Sequence, residues 1–166
     1  NETVKGESRN VLAEAARIAR GRIKDIADVS AADLDALVFP GGYGAAKNLS
    51  DFATAGADCK THPEVDRLVR GMLKDGKPIG AICIAPAILA SLLGKISPVL
   101  TIGTDRETAA TLEKMGAKHQ HCAVREIVVD EKLKIVTTPA YMLAERISEA
   151  AEGIEKLVLK VLALTK

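Results

Sequence analysis

Short apolar runs alternate along the chain with longer segments in which apolar residues recur every three or four positions. The short runs predict buried strands, at residues 36–39, 78–82 and 99–102. The periodic segments predict helices, at residues 11–20, 45–52, 64–74, 85–93, 105–115 and 141–164. Strands separated by helices of about ten residues indicate βαβ units, and therefore a mostly parallel sheet.

Further segments complete the predicted layout. Residues 23–26 are expected to be extended, and residues 54–63 are expected to form a loop. A strand is predicted near residues 119–123, and two apolar runs around Asp130-Glu131-Lys132 predict an antiparallel hairpin. Gly153 lies inside the predicted C-terminal helix, and we expect the helix to tolerate it.

Cys83 stands at the end of the apolar run 78–82 and directly before a predicted helix. The residues two positions before and after it, Ala81 and Ala85, are both small. A sharp strand-to-helix turn that exposes a nucleophile needs such small neighbours. It also places the sulfur at a helix N-terminus, where the dipole favours thiolate over thiol. Cys83 is therefore a candidate nucleophile, although the same pattern also fits a buried cysteine on a core strand.

Two other predicted strands end in residues that suit a site at the same sheet edge, because parallel sheets place active sites at the carboxyl ends of their strands. Gly41 and Gly42 follow the first strand, and Thr138 and Pro139 follow the hairpin. The glycine pair can bring backbone N–H groups close to a molecule bound to Cys83, or it can form a tight turn without a ligand. Thr138 and Pro139 can line the pocket or form a backbone turn.

Composition narrows the classes of function. The chain has 166 residues, 48% of them hydrophobic, which is enough for one domain with a core. Its formal net charge is +1 and it has only two Tyr and two Phe, so nothing suggests nucleic-acid binding. No apolar stretch reaches the length of a membrane span. The three cysteines and three histidines show neither a metal-site spacing nor an even disulfide set, so we expect reduced thiols and no metal.

Three segments resemble the ElbB-type proteins, in the DJ-1/PfpI branch of the class I glutamine amidotransferase-like superfamily. They are FPGGYGAAKNLS at 39–50, GKPIGAICIAPA at 76–87 and KIVTTPAYML at 134–143. The similarity extends over nearly the whole chain, and the first motif together with CIAP is specific. The resemblance implies a flavodoxin-like three-layer α/β sandwich with a mostly parallel sheet.

The resemblance also implies a function. ElbB-type proteins are described as glyoxalases that convert glyoxal to glycolate without glutathione or any cofactor, and the same activity has been interpreted as protein deglycation. A link to isoprenoid synthesis is a weaker implication. The expected partners are a small dicarbonyl substrate and a second copy of the chain in a homodimer, with neither nucleic acid nor membrane. The expected compartment is the cytoplasm, or the mitochondrion for a eukaryotic protein.

Position by position, the resemblance assigns the reactive cysteine to Cys83 and the oxyanion hole to the backbone N–H groups of Gly42 and Ile84. Gly41 is expected beside them in the same binding region. Many superfamily members have a histidine directly after the cysteine or at the end of the following strand, where this chain has Ile84 and residues 103–105 (Gly-Thr-Asp). Glutamine amidotransferase activity needs that Cys-His pair and is therefore not expected.

Relatives of this type begin with a strand, a helix and a second strand ahead of the segment that opens this chain. That region carries the glutamate whose carboxyl group meets the cysteine sulfur. We therefore expect residues 1–166 to form a single domain that is truncated at its N-terminus and lacks its first strands and this acid–base group. His119 falls at a predicted strand edge and is expected to be structural.

Two other functions stay open. Cys83 can act as an oxidation sensor, or the chain can bind a small molecule or a partner without turnover, because an exposed thiolate oxidises readily. A hydrolase that acts on peptides or esters would need a histidine near the sulfur, and the motifs do not supply one.

Overall fold

Six strands form two sheets in the structure, a computed structural model that describes residues 6–166. In chain order they are β1 (Leu37–Phe39), β2 (Ile79–Ile82), β3 (Val99–Leu100), β4 (Lys118–His119), β5 (Val128–Asp130) and β6 (Ile135–Thr138). The larger sheet has the order β1-β2-β6-β5, with β1, β2 and β6 parallel and β5 antiparallel. β3 and β4 pair in parallel as a second sheet.

Seven α-helices connect and cover these strands in the described part of the chain. They are α1 (Val11–Ile18), α2 (Gly42–Lys47), α3 (Phe52–Ala55), α4 (Pro63–Lys74), α5 (Pro86–Leu93), α6 (Arg106–Lys114) and α7 (Ile147–Ala163). Side-chain caps mark two of the starts: Asn10 accepts a hydrogen bond from the Ala13 N–H at 3.0 Å, and Asp105 accepts one from Thr108 at 2.8 Å. Both helices begin where the sequence predicts them.

β2 is covered on both faces, so all four of its residues are buried. Ile79 and Ala81 belong to a core cluster that includes buried residues of α4 and α5. Ile82 points to the opposite face and joins a second cluster with Leu157 and Val161 of α7. This arrangement of helices, sheet and helix confirms the predicted α/β sandwich with a mostly parallel sheet.

α7 lies close to the sheet at two glycines. A Cβ on Gly80 would lie 2.9 Å from Cδ2 of Leu157. A Cβ on Gly153 would lie 2.6 Å from the Val124 carbonyl oxygen and 2.7 Å from Oγ1 of Thr138. The helix continues through Gly153 as expected, and the close contacts show that the packing of α7 also needs a glycine at this position.

The N-terminal half contains three corrections to the predicted elements. Residues 23–26 form no strand. A 3-10 turn begins at Ile26 (Ile26–Asp28), and Arg67 of α4 donates to the carbonyl groups of Ile26 and Val29, each at 2.9 Å. The helix predicted at 45–52 begins at Gly42 and ends at Lys47, where the Ser50 hydroxyl donates to the carbonyl of Ala45 at 2.8 Å. The loop predicted at 54–63 contains the end of α3 and a 3-10 turn.

The C-terminal half contains two more corrections. The strand predicted at 119–123 is β4, which ends at His119. The helix predicted to begin at Tyr141 begins at Ile147, because Arg146 is extended and Glu149 accepts the N–H groups of Arg146 and Glu145. Tyr141 lies instead in a 3-10 turn. Among the described residues, no helix has the length and apolar character that crossing a membrane would require.

Candidate active site

Cys83 occupies a sharp turn between β2 and α5. Its backbone has φ of +61°, a left-handed conformation that is uncommon for any residue except glycine. The Cys83 N–H donates to the carbonyl of Thr138 at 3.0 Å, and the Ala85 N–H closes the turn by donating to Ile82 at 3.0 Å. The side chain is partly exposed. The strand–turn–helix context that a nucleophile elbow requires is therefore present at Cys83.

Gly41 packs directly against this turn. Its φ is +83°, and a Cβ at this position would lie 3.0 Å from the Cβ of Cys83 and would overlap the carbonyl oxygen of Ile82. A residue with a side chain would therefore be strained and would displace the elbow. Gly41 sits behind the reactive turn and is not among the residues that line the pocket.

A pocket of about 580 Å³ opens in front of the elbow. Three of its lining residues are among the predicted site residues: Gly42, Cys83 and Ile84. Six others were not predicted: Tyr43, Ala46, Phe52, Ala53, Tyr141 and Met142. The structure thus brings the ends of β1, β2 and β6 together around the sulfur, as expected for a parallel sheet.

Two backbone N–H groups in this pocket are available to a ligand. Gly42 is the first residue of α2, so its N–H has no partner within the helix. The N–H of Ile84 follows the nucleophile and lies in the turn before α5. Neither group donates to an acceptor in the part of the chain that the structure describes. Both can therefore stabilise a negative oxygen on a carbon bound to Cys83.

Thr138 and Pro139 lie behind the elbow and do not line the pocket. Thr138 is fully buried; its carbonyl holds the Cys83 N–H, and its hydroxyl donates to the carbonyl of Glu126 at 2.8 Å. Pro139 lies beside Gly103, where an added Cβ would approach its ring to 3.1 Å. The sequence left open whether Thr138 and Pro139 line the pocket or form a backbone turn, and their positions correspond to the backbone turn.

The turn after β6 supplies pocket residues that sequence reasoning missed. Ala140 has φ of +44° and is 1% exposed, and the 3-10 turn that it begins carries Tyr141 and Met142 to the pocket. Tyr43, in α2, also lines the pocket and directly follows the glycine pair. Tyr43 lies in the motif PGGYG and Tyr141 lies in TTPAYML, so these two motifs are the features of the sequence that could have identified them as pocket residues.

The remaining thiols and His119 lie outside the pocket lining. Burial raises the pKa of the Cys122 thiol to about 11, and burial also raises the pKa of Cys59. Burial and the neighbouring His121 lower the pKa of His119, whose Nε2 accepts the N–H of Ile102 at 3.3 Å. His119 therefore has a structural hydrogen bond at the edge of β4.

The pocket offers few ionisable groups. Of the side chains that line it between residues 6 and 166, none is a carboxylate or an imidazole. The same part of the chain contains no group of three His, Cys, Asp or Glu side chains that could hold a metal ion. Cys83 is accordingly the only strong nucleophile that the described lining presents.

The model of the DJ-1/PfpI family matches residues 17–144, which include the ends of β1, β2 and β6 around Cys83. The chain belongs to the DJ-1/PfpI family. It is 48% identical over 169 residues to the human mitochondrial glutamine amidotransferase-like class 1 domain-containing protein 3, and 47% identical over 168 residues to the mitochondrial ES1 protein homolog of rat. Each alignment covers 96% of this chain and 62% of the relative, so the chain spans less than two thirds of their length.

Two solved structures agree with the fold. An isoprenoid biosynthesis protein with an amidotransferase-like domain from Ehrlichia chaffeensis has a TM-score of 0.87 and 38% identity, over 97% of this chain and 73% of that one. The rapid encystment protein of Francisella tularensis has a TM-score of 0.59 at 16% identity and supports the fold alone. The predicted family and fold are confirmed.

Proposed function

We propose that the protein is a cofactor-independent glyoxalase that converts small dicarbonyls to hydroxy acids through Cys83. The observation that carries the proposal is the strained turn at Cys83, which faces a pocket together with the N–H groups of Gly42 and Ile84, neither of which has an acceptor among residues 6–166. Such a combination suits addition of a thiolate to a carbonyl, because the oxygen becomes negative as the carbon–sulfur bond forms.

In the first step, the Cys83 thiolate adds to one aldehyde carbon of glyoxal. The carbon–sulfur bond forms, the carbonyl π electrons move to oxygen, and this oxygen accepts hydrogen bonds from Gly42 and Ile84. Protonation of the oxygen gives a hemithioacetal. No metal is needed, because the backbone N–H groups stabilise the charge.

In the second step, a proton leaves the carbon bound to sulfur and another proton reaches the neighbouring carbon. The first carbon is oxidised to a thioester and the second is reduced to an alcohol, so no external oxidant takes part. Water then displaces the thiolate and releases glycolate. The proton transfers need an acid–base group. We propose that it is the carboxyl group that the resemblance assigns to a segment preceding the aligned region in relatives.

Glycolate formation from glyoxal tests this proposal in the full-length protein. Wild type should produce glycolate without glutathione, and Cys83→Ala should lower kcat/KM by about 10³-fold or more, as expected for loss of a covalent nucleophile. Cys59→Ala is the matched control and should keep full activity, because Cys59 lies outside the pocket lining. Full activity in Cys83→Ala would exclude the mechanism.

A second candidate function is an oxidation sensor. It is favoured by one observation: the described pocket lining presents a partly exposed thiol but no carboxylate or imidazole to move a proton. Peroxide would then convert Cys83 to sulfenic and sulfinic acid. Rapid, selective oxidation of Cys83 together with negligible glycolate formation would favour the sensor over the glyoxalase.

The compartment and assembly belong to the same proposal. The human and rat relatives are mitochondrial proteins by name, which supports a mitochondrial location if the protein is eukaryotic. For a bacterial protein we propose the cytoplasm. We also propose a homodimer, as the resemblance implies. Light scattering on the full-length protein tests it, and a monomer mass at micromolar concentration would contradict it.

A further inference from the structure

The pocket in front of Cys83 is large for the substrate that the family resemblance suggests. Its volume of about 580 Å³ falls within the range of about 300–1,000 Å³ that is typical of sites for drug-sized ligands. Glyoxal has only four non-hydrogen atoms. Bound to Cys83, it would contact only a small part of the apolar lining that residues 6–166 provide.

The chemistry of the walls is apolar and aromatic. Beyond the turn itself, the largest side chains of the lining are Tyr43, Phe52, Tyr141 and Met142. Among the lining residues between 6 and 166, none carries a charged side chain. Away from the N–H groups of Gly42 and Ile84, such walls favour a neutral, flat or apolar group, because a charged substituent there would lose its hydration without gaining a partner.

The two tyrosine rings are presented by different elements. Tyr43 is 59% exposed and lies at the start of α2, where the ammonium of Lys47 stands 5.2 Å from the centre of its ring. Tyr141 is 60% exposed and is carried by the turn at Ala140, whose backbone is fixed in a left-handed conformation. Exposed aromatic rings at a pocket provide contact area for a ligand at a low cost in side-chain entropy.

We propose that the substrate of this site is an uncharged 2-oxoaldehyde whose second substituent is aromatic or bulky and apolar, held against Tyr43 and Tyr141. Glyoxal is then a poor substrate that lacks the recognised group. The inference rests on the proposed role of Cys83 as the nucleophile, and it assigns Tyr43 and Tyr141 as specificity-determining residues.

Alkylation of Cys83 measures this preference without any turnover. The probes are 2-iodoacetamide and 2-iodo-N-phenylacetamide, which form the same carbon–sulfur bond, release iodide and differ by one phenyl ring. Rate constants are measured by mass spectrometry of the peptide that contains Cys83 in the full-length protein. Each is divided by the rate constant of the same probe with glutathione, which removes the intrinsic reactivity.

We expect the normalised rate constant of the phenyl probe to exceed that of iodoacetamide by about tenfold, since one well-placed aromatic contact and its buried area contribute at least this much. Tyr141→Ala and Tyr43→Ala should each lower the ratio at least about threefold. Tyr141→Phe should keep it, because the ring rather than the hydroxyl makes the contact. Leu159→Ala removes an exposed apolar side chain of α7 outside the pocket and should leave the ratio unchanged.

Turnover separates this inference from the glyoxalase proposal. With both correct, kcat/KM for conversion of phenylglyoxal to mandelate exceeds that for glyoxal by about tenfold or more. A preference for the phenyl probe without turnover of either aldehyde would reject the glyoxalase and retain the pocket specificity. A probe ratio near one, or a ratio that neither tyrosine variant changes, would overturn the inference whatever the glycolate assay shows.

Discussion

Two neighbouring strands of the sheet end in the same unusual backbone conformation and use it in opposite ways. β2 is followed by Cys83 with φ of +61°, and β6 is followed, after Pro139, by Ala140 with φ of +44°. The first turn leaves its own side chain partly exposed at the pocket. The second buries its own methyl group and directs the next two residues, Tyr141 and Met142, to the pocket.

The turn at Cys83 presents the candidate nucleophile, whereas the turn at Ala140 presents two other residues that line the pocket. The turn at Cys83 is tied to β6 by a single backbone hydrogen bond to Thr138, so the nucleophile and the pocket wall are fixed to each other through the sheet. Backbone strain of this kind costs about 1–3 kcal/mol per residue and persists only where the surrounding packing enforces it. Cys83 lines the cavity and Ala140 directly precedes two residues that line it, and strain of this kind is usually found at functional sites.

Gly41→Ala should disturb the Cys83 turn more than any other single methyl group. We expect the free energy of unfolding to fall by about 3 kcal/mol, because the new Cβ would be strained at φ of +83° and would press on Ile82 and Cys83. Gly76→Ala is the matched control: its φ is +64° with nothing within 4 Å, and it should cost only about 1 kcal/mol. Urea denaturation measures both, and equal losses would contradict the close packing of Gly41.

Cys122 is buried, whereas Cys83 is partly exposed. Burial raises the pKa of Cys122 to about 11, so at pH 7.5 its thiolate fraction is about a hundredfold smaller than that of an ordinary thiol. In the native protein, iodoacetamide should therefore modify Cys83 first and Cys122 last. The rate at Cys122 should rise with pH up to about 11, because deprotonation creates the reactive form. Modification of Cys122 at the rate of Cys83 would contradict this order.

Ala140→Val should break the second turn. Ala140 is 1% exposed with φ of +44°, and a β-branched side chain fits neither the space nor the backbone, so we expect a loss of about 2 kcal/mol of stability. Ala140→Gly removes the backbone strain and should change the stability by less than about 0.5 kcal/mol. If valine were tolerated as well as glycine in thermal unfolding, the left-handed turn at Ala140 would be in doubt.

The smallest expected effect comes from releasing the strain at the nucleophile itself. Cys83→Gly should be more stable than Cys83→Ala by about 0.5–1 kcal/mol, since glycine adopts φ of +61° without the cost that any Cβ incurs. Both variants lack the sulfur and should be equally inactive. An alanine variant that is as stable as the glycine variant would mean that the turn relaxes when the cysteine is removed.

The Cys83 turn was predictable because its determinants are local. An apolar strand, small residues at positions 81 and 85 and a following helix are all visible within ten residues of sequence. The turn at Ala140 was not predictable, because Tyr141 and Met142 continue the apolar spacing of α7 in the sequence. Only the structure shows that the helix begins after the extended Arg146, whose N–H the Glu149 side chain accepts.

Long-range packing explains the other differences. Gly41 and Gly42 look alike in the sequence, yet a Cβ on Gly41 would meet the β2 turn whereas one on Gly42 would meet nothing within 4 Å. Gly153 resembles an interruption of a helix until Val124 and Thr138 are seen beneath it. The residues that make glycine necessary at these positions are distant in the sequence, so the pattern along one segment cannot reveal the requirement.

The hydrogen bond from Cys83 to Thr138 has a consequence for biosynthesis. Synthesis proceeds from the N-terminus, so Cys83 is made well before β6, which holds its turn, and before Tyr141 and Met142, which line the pocket. A nascent chain that ends before β6 has the cysteine but neither the Thr138 carbonyl group that anchors its turn nor Tyr141 and Met142. The hydrogen bond that holds the Cys83 turn can therefore form only in a chain whose C-terminal hairpin has already been made.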